Sequence, residues 1–438
     1  MKSTLLSVLI IITGFQLRSQ QYFDTNGILN KQSFVTVTPE DIGINADSLH
    51  NGIERIITEA IDSGAFPGCQ VLLVKDGMIF YEQAFGYHTY DSLIPVRTDD
   101  IYDLASVTKT TAATLALMKL SDEGIFDVNS TFGEIFPDYR HTNKADLPMR
   151  DVLAHQAGLR AWIPYWSESK RKNGSWKPHS VSEDSSKNFN YKLSDANLFL
   201  YRKFREKKIY KMIRKSPVSD QKEYLYSGLT FYLIPDYVQR MTAQPFDTFL
   251  ESNFYRPLGA ETLVFNAGEL FPLERIAPTE VDNFFRMDTL HGIVHDEGAA
   301  MMKGVSGNAG LFSNARDLGK VYQMLLNGGT YHHRRFLSEE VIHTFTRCQF
   351  CDSGNRRGLG FDKPLIEYDS LRSSVAEKAS PESFGHTGYT GTLVWADPKN
   401  DLLFVFMSNR VYPTRNNSTI YRLNVRPRIH NLVYDLLD

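Results

Sequence analysis

The 438-residue chain has three cysteines, no excess of either charge and no internal repeat. Beyond residue 20 it also has no apolar run long enough to cross a bilayer. Each lack excludes something. Three cysteines cannot build a disulfide framework, and Cys348-Gln349-Phe350-Cys351 has no second pair to complete a four-cysteine zinc site. With 48 Lys plus Arg against 51 Asp plus Glu, the net charge of -3 supplies no general attraction for nucleic acid or anionic membrane. The short apolar runs exclude an integral membrane span after Gln20. Glycine never clusters in the form of a phosphate-binding loop. His291 and His295 have the i, i+4 spacing of a zinc pair, but Gly292 and the β-branched Ile293-Val294 oppose a helix there. A packed loop is the reading, and neither metal nor cofactor is expected. What is present is a chain with 42% hydrophobic residues, enough for a sizeable core, whose chemistry must lie in local motifs.

The first 20 residues have the layout of a secretory signal: Lys2, an apolar stretch from Leu5 to Leu17, then Ser19 and Gln20. Residues 21–438 are therefore expected to be exported, periplasmic or secreted, and to form one domain. In that compartment Cys348 and Cys351 can close a local disulfide. A helical pattern begins at Asp47, with Leu49, Ile53, Ile56, Ile57 and Ile61 on one face and Gly64 as its stop. Cys69–Val74 and Met78–Ala84 flank Lys75-Asp76-Gly77 as a hairpin. A second hairpin joins Thr392–Ala396 to Leu402–Ser408, and Ile429–Leu437 reads as a closing helix. Strands at both ends and helices between predict an α+β, two-lobed fold: an antiparallel sheet built from N- and C-terminal segments, flanked by helices, plus a helix-rich lobe. Residues 160–223, polar and rich in Lys, Ser and Asn, read as an insertion with some helix of its own. Its basic cluster, Arg202 to Lys215, reads as a solvated helix face.

Ser106-Val107-Thr108-Lys109 is the candidate catalytic motif. Residues i and i+3 share a helix face, so the Lys109 amine can lie beside the Ser106 hydroxyl and take up its proton. The same spacing recurs at Ser167–Lys170, Ser169–Lys172 and Ser219–Lys222, but only Ser106 opens a long apolar helix, read as running to Glu123 with Gly124 as its stop. Two further motifs stand apart in sequence: Tyr226-Ser227-Gly228, and His386-Thr387-Gly388-Tyr389 just before a strand.

Together these motifs resemble the serine β-lactamase and penicillin-binding-protein superfamily, and most closely its class C-like branch of carboxypeptidases, D-amino-acid peptidases and esterases. Asp103–Lys109 matches the D-L-A-S-x-T-K form. Asp151–Leu159 is similar to L-L-x-H-x-S-G-L, with Ala157 where serine is usual. Gly307–Ser313 is similar to G-x-A-G-L-F-S, and Ser408-Asn409-Arg410-Val411 completes the series. The resemblance spans roughly residues 45–436. It implies that Ser106 forms an acyl-enzyme, with Lys109 and Tyr226 sharing the proton traffic. It also implies that His386, Thr387, Gly388 and Tyr389 bind substrate, the Ser106 and Tyr389 N–H groups forming the oxyanion hole. The implied substrate is a small molecule or cell-wall peptide: a peptidoglycan-type peptide, a D-amino-acid amide or a small ester. The oligomeric state is left open.

Two departures modify the implication. His386 stands where the commoner pattern has lysine, replacing a fixed charge by a ring that is mostly neutral near pH 7. Gly228 stands where Asn is usual, so a polar side chain that would help hold a substrate amide is missing. A binding protein that kept the fold and lost catalysis is the alternative reading. If the missing amide limits selectivity, Gly228→Asn should raise acylation by amides or β-lactams more than by esters; an equal change for both in stopped-flow acylation would sink the idea.

Overall fold

A computed structural model describes residues 34–194 and 196–438. The leader expected at 1–20 lies outside the described residues. The central sheet has six strands: β1 (Val35–Thr36), β2 (Gly68–Lys75), β3 (Met78–Gly86), β4 (Phe384–Thr387), β5 (Leu393–Asp397) and β6 (Leu402–Ser408). Their order is β1-β3-β2-β6-β5-β4, antiparallel throughout except for the parallel β1–β3 edge. The two ends of the chain meet where β2 pairs with β6, from Lys75 opposite Leu402 to Cys69 opposite Ser408. Both expected hairpins are present. The β2–β3 turn holds Asp76 and Gly77 at φ 52° and 76°, the left-handed pair that two-residue hairpins favour.

The central strands read as continuous apolar runs because both faces of the sheet are covered, and every residue of β6 is buried. On one face lie α1 (Ala46–Asp62), whose N-terminus is capped by Asn45 accepting the Ser48 N–H, and the C-terminal helix Val425–Leu437. Leu49, Ile53, Ile57, Ile429 and Val433 pack there on Val71, Leu73, Trp395, Phe404 and Phe406. On the other face α2 (Leu115–Asp122) and α3 (Ala315–Leu326) join a larger core with Leu72, Val394, Leu403 and Val405. That core continues into the helix-rich lobe.

A small sheet stitches the lobes together. Leu311–Ser313 pairs with Tyr102–Asp103 on one side and Val264–Phe265 on the other, which draws the chain around Asn308 up to Ser106. Residues 160–223 carry the helix Tyr210–Lys215 and also a three-stranded sheet of Val181–Ser182, Leu198–Tyr201 and Phe189–Ser194. Those strands were not foreseen, because they are short, irregular in register and largely polar on one side. No helix among the described residues is long and apolar enough to cross a membrane.

Trp395 tests the central core. It is buried in the middle of β5, and its Nε1 donates to Ser383 Oγ at 2.9 Å. Trp395→Ala should cost about 3–5 kcal/mol in urea unfolding; a loss below about 1 kcal/mol would place the stabilising core elsewhere.

Candidate active site

Ser106 sits in a single 3₁₀ turn, Ala105–Val107, that enters a widened helical turn, Lys109–Thr114, before regular α2 begins. The expected helix is thus right in extent and wrong in regularity at its start. Just before Ser106, Ala105 has φ 46°, a left-handed conformation that a side chain resists. Buried Asp103 holds it there, its Oδ1 accepting the Ala105 N–H at 2.7 Å and its Oδ2 the His295 N–H at 2.7 Å. Burial pushes the Asp103 carboxyl up, against the pull of those donors.

Lys109 is 3% exposed, with its Nζ 3.0 Å from Ser106 Oγ and 2.7 Å from the Asn308 carbonyl oxygen. Asn308 is itself held on both sides of its side chain. Its Oδ1 accepts from Ser306 Oγ at 2.6 Å, and its Nδ2 donates to Tyr232 Oη at 2.9 Å and Asp296 Oδ1 at 3.2 Å. The other Ser-x-x-Lys spacings are put to different uses: Lys170 lies over the Trp166 and Trp176 rings, and Lys222 faces Asp151 at 3.8 Å.

Tyr226 lines the same cleft, its ring centroid 5.4 Å from Lys109 Nζ. Its hydroxyl makes no hydrogen bond among the described residues. The loop that carries it is fixed by His155, whose Nδ1 accepts the Ser227 N–H at 3.2 Å and whose carbonyl accepts the Leu225 N–H at 2.8 Å. Burial first, then the charges of Arg357, His386 and Lys109, push the His155 pKa well below its usual value, so the ring is neutral. His386 is likewise buried, 3% exposed, with its centroid 6.0 Å from that of Tyr226. Burial, then Arg357 and Lys109, take its pKa down to about 3. A neutral His386 donates Nδ1–H to the Thr387 carbonyl at 2.7 Å, which leaves Nε2 as an acceptor. Neither His386 nor Thr387 belongs to the cleft wall, whereas Tyr389 does.

The turn after β4 is docked on the backbone just before Ser106. Thr390 Oγ1 donates to the Asp103 carbonyl at 2.7 Å and Thr392 Oγ1 to the Leu104 carbonyl at 3.2 Å. Gly388 permits this approach: a Cβ there would lie 2.0 Å from Thr392 Oγ1 and 2.5 Å from the Leu104 oxygen. The Tyr389 N–H takes part in no backbone hydrogen bond among the described residues. Tyr389 is 47% exposed, with Arg410 4.4 Å from its ring and His295 stacked at 5.7 Å.

The cleft encloses about 440 Å³ between Ser106, Tyr226, Trp162, Tyr389 and Arg415. Arg415 is tied to Glu280 through Nε at 2.7 Å and to Glu297 through Nη1 at 2.6 Å. At Gly228 a Cβ would meet only Lys109 Cε, at 3.9 Å, so packing does not demand glycine there. The two histidines of the discarded zinc motif have other partners. His295 Nε2 lies 2.8 Å from Glu280, and His291 Nε2 lies 2.8 and 2.7 Å from the Leu273 and Ile276 carbonyls. Among the described residues no group of three or more His, Cys, Asp or Glu is arranged to hold a metal ion. Cys348 and Cys351 form a disulfide, and Cys69 is a buried free thiol.

Motif reading passed over the roles of Asp103, His155 and Asn308, although each lies inside a matched segment. It missed Arg357 entirely, because a lone arginine in a loop carries no pattern. Gly388→Ala should leave far-UV circular dichroism unchanged and lower kcat/KM roughly 10²-fold or more, the usual loss for one displaced oxyanion donor. Unchanged turnover would remove the Tyr389 N–H from the mechanism.

Comparison with known proteins gives the family and the fold. The "Beta-lactamase" family model matches residues 53–425. A protein of Salmonella agona (strain SL483) described as a putative D-alanyl-D-alanine carboxypeptidase is 33% identical over 402 residues, covering 86% of this chain and 85% of its own length. A penicillin-binding-protein homologue from Caulobacter crescentus superposes with a TM-score of 0.62 at 19% identity, over 90% of this chain and 99% of its own. The D-amino acid amidase of Ochrobactrum anthropi SV3 does so with a TM-score of 0.58 at 18% identity, over 88% and 99%. The chain belongs to the β-lactamase family, with the mixed α+β fold of the penicillin-binding-protein homologues.

Proposed function

We propose that the chain is an exported serine hydrolase that works through an acyl-enzyme. The observation that carries this is the buried Lys109 Nζ at 3.0 Å from Ser106 Oγ, an amine held within proton-transfer reach of the hydroxyl. As Ser106 Oγ bonds to the substrate carbonyl carbon, its O–H bond breaks and the proton passes through Lys109 and Tyr226 to the leaving group. The carbonyl oxygen takes up negative charge between the Ser106 and Tyr389 N–H groups. Water then attacks the ester, and the same groups return the proton to Ser106.

The substrates are amides or esters of the kinds that relatives' names suggest: a peptidoglycan-type peptide, a D-amino-acid amide or a small ester. Charge narrows the choice. Arg415 on the cleft wall is paired with Glu280 and Glu297, Lys109 is held by Ser106 and Asn308 as the proton-accepting amine, and His386 is neutral. A free carboxylate beside the scissile bond finds no unpartnered cation among the described residues of that wall, so neutral esters and amides are favoured over peptides ending in D-alanine.

Labelling with a fluorophosphonate should be lost in Ser106→Ala. A folded wild type that is not labelled would instead support the binding-protein reading. In a panel of p-nitrophenyl acetate, D-alanine p-nitroanilide and an N-acyl-D-alanyl-D-alanine, kcat/KM for the ester should exceed that for the dipeptide by about tenfold or more; the reverse order would overturn the charge argument.

A further inference from the structure

With His386 in place of lysine, the turn after β4 brings no fixed charge to Tyr226. A tyrosine that accepts the Ser106 proton must first be a phenolate, and a phenolate in a half-buried cleft needs a positive charge close by. The charged and titratable groups facing the Tyr226 ring are Lys109, His155, His386 and Arg357. Both histidines are neutral, and Lys109, the amine that takes up the Ser106 proton in the proposed path, carries no fixed charge.

Arg357 remains. It is 5% exposed, and its Cζ lies 5.3 Å from the Tyr226 ring centroid and 5.6 Å from that of Tyr224, whose hydroxyl accepts from its Nη2 at 3.1 Å. A guanidinium keeps its proton at any working pH. Its counter-ion, Asp362, lies 3.3 Å from Nε but is shared with Arg356, which donates to both carboxylate oxygens at 2.9 and 3.1 Å. Two guanidiniums on one carboxylate leave a net positive charge beside Tyr226. Arg357 Nε and Nη1 make no hydrogen bond among the described residues. Its backbone is anchored to the motif that holds Tyr226: Asn355 Oδ1 accepts the Arg357 N–H at 3.0 Å, and Asn355 Nδ2 donates to the Ala154 carbonyl and Gln156 Oε1, both at 2.9 Å.

We propose that Arg357 is the fixed cation of the site, a positioning residue that acts through Tyr226 by balancing the phenolate that receives the Ser106 proton. It supplies from the 348–362 loop the charge that the commoner pattern carries on lysine at position 386. The inference rests on the serine-hydrolase reading. The step is a proton transfer only: the Ser106 O–H bond breaks, the proton passes through Lys109 Nζ, the Tyr226 O–H bond forms, and the electron pair left on Oγ makes the acyl bond.

The test is a cycle of Arg357→Gln, Tyr226→Phe and the double variant, read by p-nitrophenyl ester turnover and by the rate of fluorophosphonate labelling. Arg357→Gln should lower kcat and the labelling rate roughly 10²-fold, with KM within about threefold. Arg357→Lys should restore most of the loss. In the Tyr226→Phe background, Arg357→Gln should have no further effect. Equal losses in both backgrounds, or a Lys variant no better than Gln, would overturn the proposal and leave Arg357 a packing residue. If the Gln variant does not fold, Arg357→Lys is compared across the two backgrounds: a change confined to the tyrosine background supports the proposal and an equal change overturns it. A wild type that is never labelled overturns the serine-hydrolase reading and this proposal with it. A labelled wild type whose rate is unmoved in Arg357→Gln overturns this proposal alone.

Discussion

Everything in the site depends on one buried amine. An ammonium or amine taken out of water must find hydrogen-bond partners or lose several kcal/mol. Lys109 finds Ser106 Oγ on its own helix and the Asn308 carbonyl from a segment about two hundred residues further on. The second contact exists only because Leu311–Ser313 pairs with Tyr102–Asp103, and because Asn308 is clamped by Ser306, Tyr232 and Asp296. The small sheet between the lobes is thus part of the support of the Ser106–Lys109 pair.

The same dependence runs through Asp103. Its two carboxylate oxygens hold the strained Ala105 turn and the His295 backbone, while its carbonyl accepts from Thr390 on the β4–β5 turn. One buried residue therefore joins the Ser106 turn, the His295 backbone and the β4–β5 turn.

Much of the fold was legible because its signals are local. The alternating and continuous apolar runs of β2, β3, β5 and β6 and the apolar stripe of α1 follow from which faces are covered. The widened turn after Ser106 was not legible, since no Gly or Pro sets Lys109–Thr114 apart from the regular helix that follows it. The strands at 181–201 were also missed, their pattern being too short and too polar to stand out.

The sequence by itself determined the candidate nucleophile, its lysine and the family motifs, because spacing along one helix and short ordered segments survive without tertiary information. It also determined that His386 brings no permanent charge, since that is a property of imidazole. Only the tertiary structure decided which cation stands in. Arg357 is 131 residues from Tyr226 and 29 from His386 in the chain, with no motif around it, and its charge matters solely because three loops bury it within 5.3 Å of one phenol ring. Distance through space sets an electrostatic interaction, and distance along the chain carries no record of it.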